Sequence, residues 1–298
     1  MTNALAARLR AALDRPLDPA VAALARELGE TAGARAVLFY GSNLRTGSLD
    51  GVLDFYVLLP GEPESGLWPR VSYREWEADG TVLRAKIATM TLAKFARAAA
   101  GDTLDTTIWA RFVQPSALVW QRDEGSRSAV AHAIADAART AARLAVALGP
   151  AKGQADDYWR ALFRATYRAE LRVEAAGRED AILAANREHF DGLLRAALGS
   201  AGIVYGEDRS TISPRIDPAE RHRILAWWKP RRRLGKPLNA VRLVRAAGTF
   251  DGAARYAAWK VERHTGIAVE VTPWRERHPL LAAPGMLWSL WRQRKAAR

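Results

Sequence analysis

The chain contains no cysteine. That absence excludes a disulfide framework, a thiolate metal centre and a thiol nucleophile, and it fits a reducing compartment. Also missing is any run of about 18 apolar residues, so no membrane-spanning helix is expected. The first thirty residues, MTNALAARLRAALDRPLDPAVAALARELGE, have no unbroken apolar core and carry Asp14 and Glu27. They read as two short helices rather than a secretory leader. No repeat of fixed period is present. What remains is a 298-residue chain, about half apolar, long enough to bury a sizeable core in one to three domains.

The net charge of +13 is unevenly spread. Residues 1–150 hold 17 Lys and Arg against 16 Asp and Glu, and residues 151–205 hold 8 against 8. Residues 206–298 hold 20 against 8, and with them six of the eleven tryptophans: Trp227, Trp228, Trp259, Trp274, Trp288 and Trp291. An excess confined to one C-terminal module implies an anionic partner, either a phospholipid surface or a nucleic acid.

Asp18-Pro19 marks a helix start, with an aspartate N-cap and proline in the first turn. Residues 35–40, 52–59 and 82–89 are rich enough in β-branched and aromatic side chains to be strands. Thr91 is placed to cap a helix ending at Gly101, and a short helix near 104–112 leads into QPSALVW. From Ser126 the pattern becomes Ala- and Arg-rich, predicting helices over about 127–148, 155–176 and 179–198. Prolines at 214, 218, 230, 237, 273, 279 and 284 predict only short helices beyond. The expected order is a small mixed sheet in 1–122, a helical domain in 123–200 and a basic, Trp-rich module in 201–298: an α+β chain.

The stretch VLFYGSNLRTGSLDGVLDFYVLL (37–59) concentrates the chemistry. A strand runs into Gly41-Ser42, a polar loop follows, and Asp54 lies inside the next strand. A Gly-Ser turn leaves room for phosphates, which its serine and backbone N–H groups can bind. A carboxylate on the following strand can hold magnesium against a triphosphate. A plain hairpin with an edge aspartate is the competing reading. Position 52 is valine, so a second acid at i−2 is absent; Asp50 lies in the preceding turn.

Several further segments, in order, resemble one family: the peripheral CTP:phosphatidate cytidylyltransferases of the mitochondrial translocator-maintenance type, built on the nucleotidyltransferase fold of DNA polymerase beta. FYGSNL and LDFYVLL are similar to that family's Tyr-Gly-Ser turn and Leu-Asp-Phe strand, which also carries a single aspartate. GTVLRAKIAT resembles its lysine strand, with Arg84 or Lys86 in the lysine's place. IWARFVQPS resembles its Ala-Gly-Arg-Leu-Gln-Lys-Pro segment, with Arg111 and Pro115 but Gln114 for lysine. TYRAELRVEAAGRED resembles its Ser-Tyr-x-Gly-Asp-Phe-Arg helix and supplies Tyr167, Glu170 and Arg172. NREHFDGLLRAAL resembles its His-Phe helix through His189 and Phe190. The matches span about 37–198. The chain departs from the family at Trp68-Pro69, where a Trp-His is usual, and at Ala169-Glu170, where Gly-Asp is usual.

The resemblance implies a magnesium-dependent transfer from CTP to phosphatidate, giving CDP-diacylglycerol and pyrophosphate on the inner face of the cell membrane. Asp54, Lys86 and Glu170 would be catalytic, with Asp54 and Glu170 holding Mg2+. Gly41, Ser42, Arg84, Arg111 and Arg172 would bind nucleotide and phosphate. Alternatives stay open for most of these. Arg84 and Lys86 also suit an exposed strand edge, Arg111 an ion pair with Asp102 or Asp105, and Glu170 a surface pair with Arg164 or Arg168. His189 and His264 read as structural. In the tail, Trp227, Trp228, Arg231, Arg232, Arg233, Trp288 and Trp291 suit docking on anionic lipid, with an interfacial helix over about 285–295. The same composition suits RNA stacking, less strongly, or a folded domain with tryptophans in its core. A nucleotidyltransferase acting on RNA or a small alcohol, or a lipid-binding protein without turnover, are the competing functions.

Overall fold

In the computed structural model, residues 3–66, 69–78, 80–170, 177–265 and 271–274 are described. The N-terminal part runs α1 (Asn3–Leu13), α2 (Pro19–Thr31), β1 (Ala36–Tyr40), α3 (Ser42–Thr46), β2 (Val52–Leu59), β3 (Arg70–Ala78), β4 (Thr81–Thr91), α4 (Leu92–Ala99), α5 (Thr107–Phe112) and β5 (Ser116–Gln121). The Asp18 side chain accepts from Ala20 N and Thr91 Oγ1 from Lys94 N, so both expected caps are made. The five strands form one mixed sheet in the order β3-β4-β2-β1-β5. β2 and β4 are parallel; the other neighbours are antiparallel.

The expected strands are β1, β2 and β4. Those not expected, β3 and β5, are the two edges of the sheet. β3 reads RVSYREWEA, and its charged positions mask the buried Tyr73. Edge strands carry polar residues that blunt further pairing, which weakens their signal.

Alternation along the inner strands buries both faces. Val37, Phe39, Leu53, Phe55, Val57, Ala85 and Ile87 pack with Val21, Leu24 and Ala25 of α2. Leu38, Tyr40, Tyr56, Leu58, Ala88 and Met90 face the other way, onto α1, α4, α5 and the helices that follow. Those helices are α6 (Glu124–Leu148), α7 (Ala155–Ala169), α8 (Arg178–Ala185), α9 (Arg187–Phe190) and α10 (Leu193–Ser200). Helix α7 ends before 176, and residues 171–176 lie outside the described part. The single helix expected over 179–198 is three, broken at Asn186 and at Gly192, whose φ of 68° only glycine adopts easily. One hydrophobic cluster runs from Leu5 through Trp109, Trp159 and Phe190 to Trp228, so the three expected segments share a core.

Beyond the hairpin β6 (Tyr205–Asp208) and β7 (Thr211–Pro214), the tail differs most from expectation. α11 (Pro218–Thr249) is 32 residues long with Pro230 and Pro237 inside it, and α12 (Ala253–Thr265) follows. A proline removes one backbone donor and opens the preceding turn. Next to Pro230, Arg231 Nη1 donates to Trp227 O at 2.6 Å. Packing then holds the helix. Trp227 Nε1 donates to Gly101 O at 3.0 Å. Arg231 Nε and Nη2 donate to Thr103 O, and Nη2 also to Gly101 O at 2.7 Å.

These contacts correct the docking assignment of two residues. Trp228 is 3 % exposed and Arg231 7 %, so both are internal. Trp227 is half-buried, packed on the same core at a tilt to Trp109, with Arg231 over its ring. Arg232 and Arg233 are exposed. Trp288, Trp291 and the helix expected over 285–295 lie outside the described residues. Among the described residues no helix is long and apolar enough to cross a membrane.

Two predictions follow from this packing. Trp228→Ala is expected to lower unfolding free energy by about 3–5 kcal/mol in urea melts; unchanged stability would return Trp228 to the surface. An alanine at Gly235 would favour a free helix by about 1 kcal/mol. Here its Cβ would overlap the backbone oxygen of Ala169, where α11 crosses the end of α7. Gly235→Ala is therefore expected to lower the melting temperature, and a rise would show that the helices do not approach so closely.

Candidate active site

β1 and β2 are antiparallel neighbours, with Tyr40 opposite Asp54. The next residue, Gly41, has φ 94° and ψ −162°, a conformation open to glycine alone. A Cβ there would stand 2.9 Å from Asp54 Oδ2, so glycine is required twice over. The turn is pinned by Asn43, a residue the sequence reading did not single out. Its buried amide donates to Ser48 O at 2.8 Å and to Asp50 O at 2.7 Å. Asp50 is exposed in the loop.

Across the parallel pair β2/β4, Asp54 lies beside Lys86, and Tyr73 of β3 lies beyond it. Asp54 and Lys86 share the face that carries Tyr40, Tyr56 and Ala88, which points toward the helices. Burial raises the Asp54 carboxyl above its ordinary value, while Lys86 and Arg111 pull it down. Burial likewise lowers the Lys86 ammonium, opposed first by Asp54. Arg111, from α5, stands with its guanidinium 5.0 Å from the centre of the Tyr40 ring. Burial works against its charge, but Tyr40, Tyr56, Asp54 and Glu170 together outweigh that and keep it cationic. Its Nε is buried without a hydrogen-bond partner among the described residues, although donors in such places are ordinarily satisfied.

Gly41, Ser42, Asp54, Arg111, Gln114 and Pro115 line one cavity of about 380 Å³, with Tyr167 and Asn186 in its opposite wall. The structure thus gathers four of the sequence-predicted residues at one opening. Others stand behind it. Lys86 touches the cavity through Asp54 rather than lining it. Arg84 shares its strand face but is engaged by Glu75 at 3.5 Å and lies 5.7 Å from the Trp259 ring. Glu170 is 6 % exposed, which rules out a surface ion pair; Thr106 Oγ1 donates to its Oε1 at 3.0 Å. It acts on the site through the field it exerts on Arg111. Arg172 lies outside the described residues. His189 accepts the structural role expected of it: its Nε2 bonds Val113 O at 2.8 Å, and burial lowers it to about 4.

The tail supplies residues around the site that sequence reasoning had not singled out. Tyr73 N donates to Asp251 O at 2.8 Å, and Arg74 pairs with Asp251 at 2.7 Å. These contacts anchor α12 over β3 and β4. Tyr256 then packs on Tyr73, and it feels the charge of Asp54. Lys260 is close enough to depress Lys86. From α11, Arg242 Nη1 donates to Thr107 Oγ1 at 3.2 Å, and its charge reaches Tyr40, Tyr56 and the buried Asp105. The one advance signal was the alternative reading of the tail as a folded domain with tryptophans in its core.

Among the described residues no three His, Asp or Glu converge on a metal position. A magnesium ion does not need that many, since it keeps water and substrate phosphates as most of its ligands. Asp54 fits as the protein ligand: its carboxylate reaches the cavity, and the cradle beside it is kept open by the missing Cβ of Gly41. Glu170, turned to Thr106 and outside the cavity wall, does not supply a second ligand in this arrangement. A cavity with one carboxylate, a fixed cation, a hydroxyl and a tight turn can bind phosphates and counter developing charge. No family model matches the chain, and no curated protein matches it.

The Asp54–Lys86 geometry gives a pH prediction. Removing the Lys86 charge takes away the larger of the two influences that lower Asp54. In Lys86→Met the Asp54 carboxyl is expected to titrate at higher pH than in the parent, read by 13C NMR on metal-free protein. An unchanged titration would show that the two side chains do not face each other.

Proposed function

We propose that the chain is a nucleotidyltransferase that transfers a cytidylyl group from CTP to phosphatidate. The observation that carries this reading is the Gly41-Ser42 turn held against Asp54 in a cavity shared with Arg111. The five-strand mixed sheet, with the turn at the end of one strand and the acid on its neighbour, supports a nucleotidyltransferase fold. The choice of CTP and phosphatidate rests on the order of the segments from FYGSNL to NREHF.

In this reading Ser42 and the turn backbone hold triphosphate oxygens, and Arg111 binds a phosphate through its fork. Asp54 would hold magnesium, which when bound neutralises phosphate charge and aligns the triphosphate. An oxygen of the phosphatidate phosphate forms a bond to the α-phosphorus of CTP. The bond from that phosphorus to the β-phosphate oxygen breaks, and pyrophosphate leaves with the electron pair. No covalent enzyme intermediate is needed. Lys86, Arg111 and Arg242 supply positive charge fixed in advance, which acts strongly where water is excluded. The exposed Arg232 and Arg233 face solvent for an anionic membrane surface.

The test is purified protein with magnesium, each labelled nucleoside triphosphate, and either phosphatidate vesicles or tRNA. Pyrophosphate release specific to CTP and dependent on phosphatidate is expected. Release dependent on tRNA would assign an RNA substrate, and vesicle binding without turnover would leave a lipid-binding protein. Asp54→Asn, which keeps volume and removes charge, is expected to lower turnover at least about a hundredfold with the circular dichroism spectrum unchanged. Near-parental turnover in that variant would remove Asp54 from the site.

A further inference from the structure

Beside the Asp54 cavity lies a second one, of about 530 Å³, and Arg45, Pro115 and Asn186 border both. Its wall carries four arginines from three separated parts of the chain: Arg8 from α1, Arg15 from the loop after it, Arg45 from α3 and Arg187 from α9. Nothing in the sequence motifs marks them, since they are spread over nearly 180 positions.

Several arginines elsewhere in this structure are paired with acids: Arg127 meets Asp14, Arg160 meets Asp157 and Asp180, and Arg195 meets Glu207. The four around this cavity are not. Among the described residues none has a carboxylate within 4 Å, although Glu188 and Asp191 stand in the same wall. Arg15 has only a long bond from Nη1 to Leu44 O, at 3.5 Å. Arg8 lies against the turn at Gly192, where an added Cβ would come within 3.2 Å of its Nη1. The field of Arg8 and Arg15 is felt at His189, which burial already keeps neutral. Cations gathered at a concave surface repel one another and focus a positive potential that an anion relieves.

Beside the arginines, Glu188, His189 and Asp191, the wall has an apolar part: Leu9, Ala12, Ala185 and Leu193. Between the cavities, Asn186 is buried, its Nδ2 donates to Ile182 O at 2.7 Å, and its Oδ1 has no partner among the described residues. Guanidinium groups match a phosphate monoester, with its two charges and free oxygens, better than a singly charged diester.

The geometry points to this cavity as the binding site for the acceptor's phosphate monoester, with Arg8, Arg15, Arg45 and Arg187 as its ligands. The inference rests on the nucleotidyltransferase reading of the Asp54 cavity for the word acceptor, but not for the anion site itself. Arg45, at the border, is the residue that addresses both ligands. The apolar wall beside the guanidinium groups suits an acceptor whose phosphate is carried on a hydrocarbon body.

The test uses the full chain and isothermal titration with dihexanoyl phosphatidate below its micelle concentration, glycerol 3-phosphate, dihexanoyl phosphatidylcholine and CTP with magnesium. Replacing Arg8 and Arg187 together with glutamine is expected to weaken binding of the monoesters at least tenfold while CTP affinity stays within twofold. Phosphatidylcholine, a diester, is expected not to bind. Tighter binding of dihexanoyl phosphatidate than of glycerol 3-phosphate would identify a lipid source, and equal binding a soluble one. If the double variant loses its melting transition, Arg187→Gln alone, at an exposed position, carries the comparison, with a severalfold loss expected. Monoester affinity unchanged in the folded variants, or no monoester binding to the parent, overturns the proposal. Monoester binding that depends on these arginines in a protein that does not bind CTP would leave the anion site standing and sink the nucleotidyltransferase reading instead.

Discussion

Asp54 is set beside Lys86 on the neighbouring parallel strand and feels the charges of Lys86 and of Arg111 on α5, with the Gly41 backbone against its Oδ2. Removing such a carboxylate from water is expensive, and an opposite charge repays that only in a fixed geometry. The surrounding structure supplies the fixing. Tyr40 is set opposite Asp54 by strand register and lies under Arg111, and Glu170 and Thr106 sit behind Arg111. Each charge leans on one from a different element, so β1, β2, β4, α5 and the end of α7 must all be in place for any of them to be tolerated. The side of Asp54 left open is the one that faces Gly41, Ser42 and the cavity.

The C-terminal helices change the meaning of the charge distribution. As a bare count, the tail's excess of arginine and lysine describes a surface waiting for an anionic partner. In the folded chain part of it is turned to the rest of the molecule. Arg231 is buried and bonded to carbonyls of the loop after α4, Arg242 donates to Thr107, and the exposed Lys260 stands near Lys86. Trp228 joins Trp109 in the core with Trp227 packed against them, and Tyr256 and Trp259 lie over the sheet beside Arg84. The tail therefore serves the site as well as facing solvent. Any contact that shifts α11 or α12 alters the potential at Asp54.

Much of the sheet was legible because its signals are local. An N-cap aspartate before proline, a capping threonine at 91 and apolar runs rich in β-branched and aromatic residues in 36–40 and 52–59 act over a few residues, and the structure uses them as written. Gly41, Ser42, Asp54 and Arg111 were singled out in advance from short motifs, and the structure brings them to one cavity. Edge strands were not, because β3 hides one buried tyrosine among charges. The long helix α11 was missed because proline weakens a helix locally, while the bonds of Trp227 and Arg231 to the loop after α4 come from more than a hundred residues away.

By itself, then, the amino-acid order determined the central strands, their caps, the glycine turn beside a carboxylate, the lack of thiol chemistry and the basic bias of the tail. Only the tertiary structure decided which tryptophans and arginines are internal, that Glu170 stands behind the cavity, and that Arg8, Arg15, Arg45 and Arg187 meet around a single space. The reason is physical. Propensity and turn chemistry depend on adjacent residues, whereas an arginine or a tryptophan has the same identity in solvent, at a membrane or in a core. What it faces is set by packing between elements far apart in the chain.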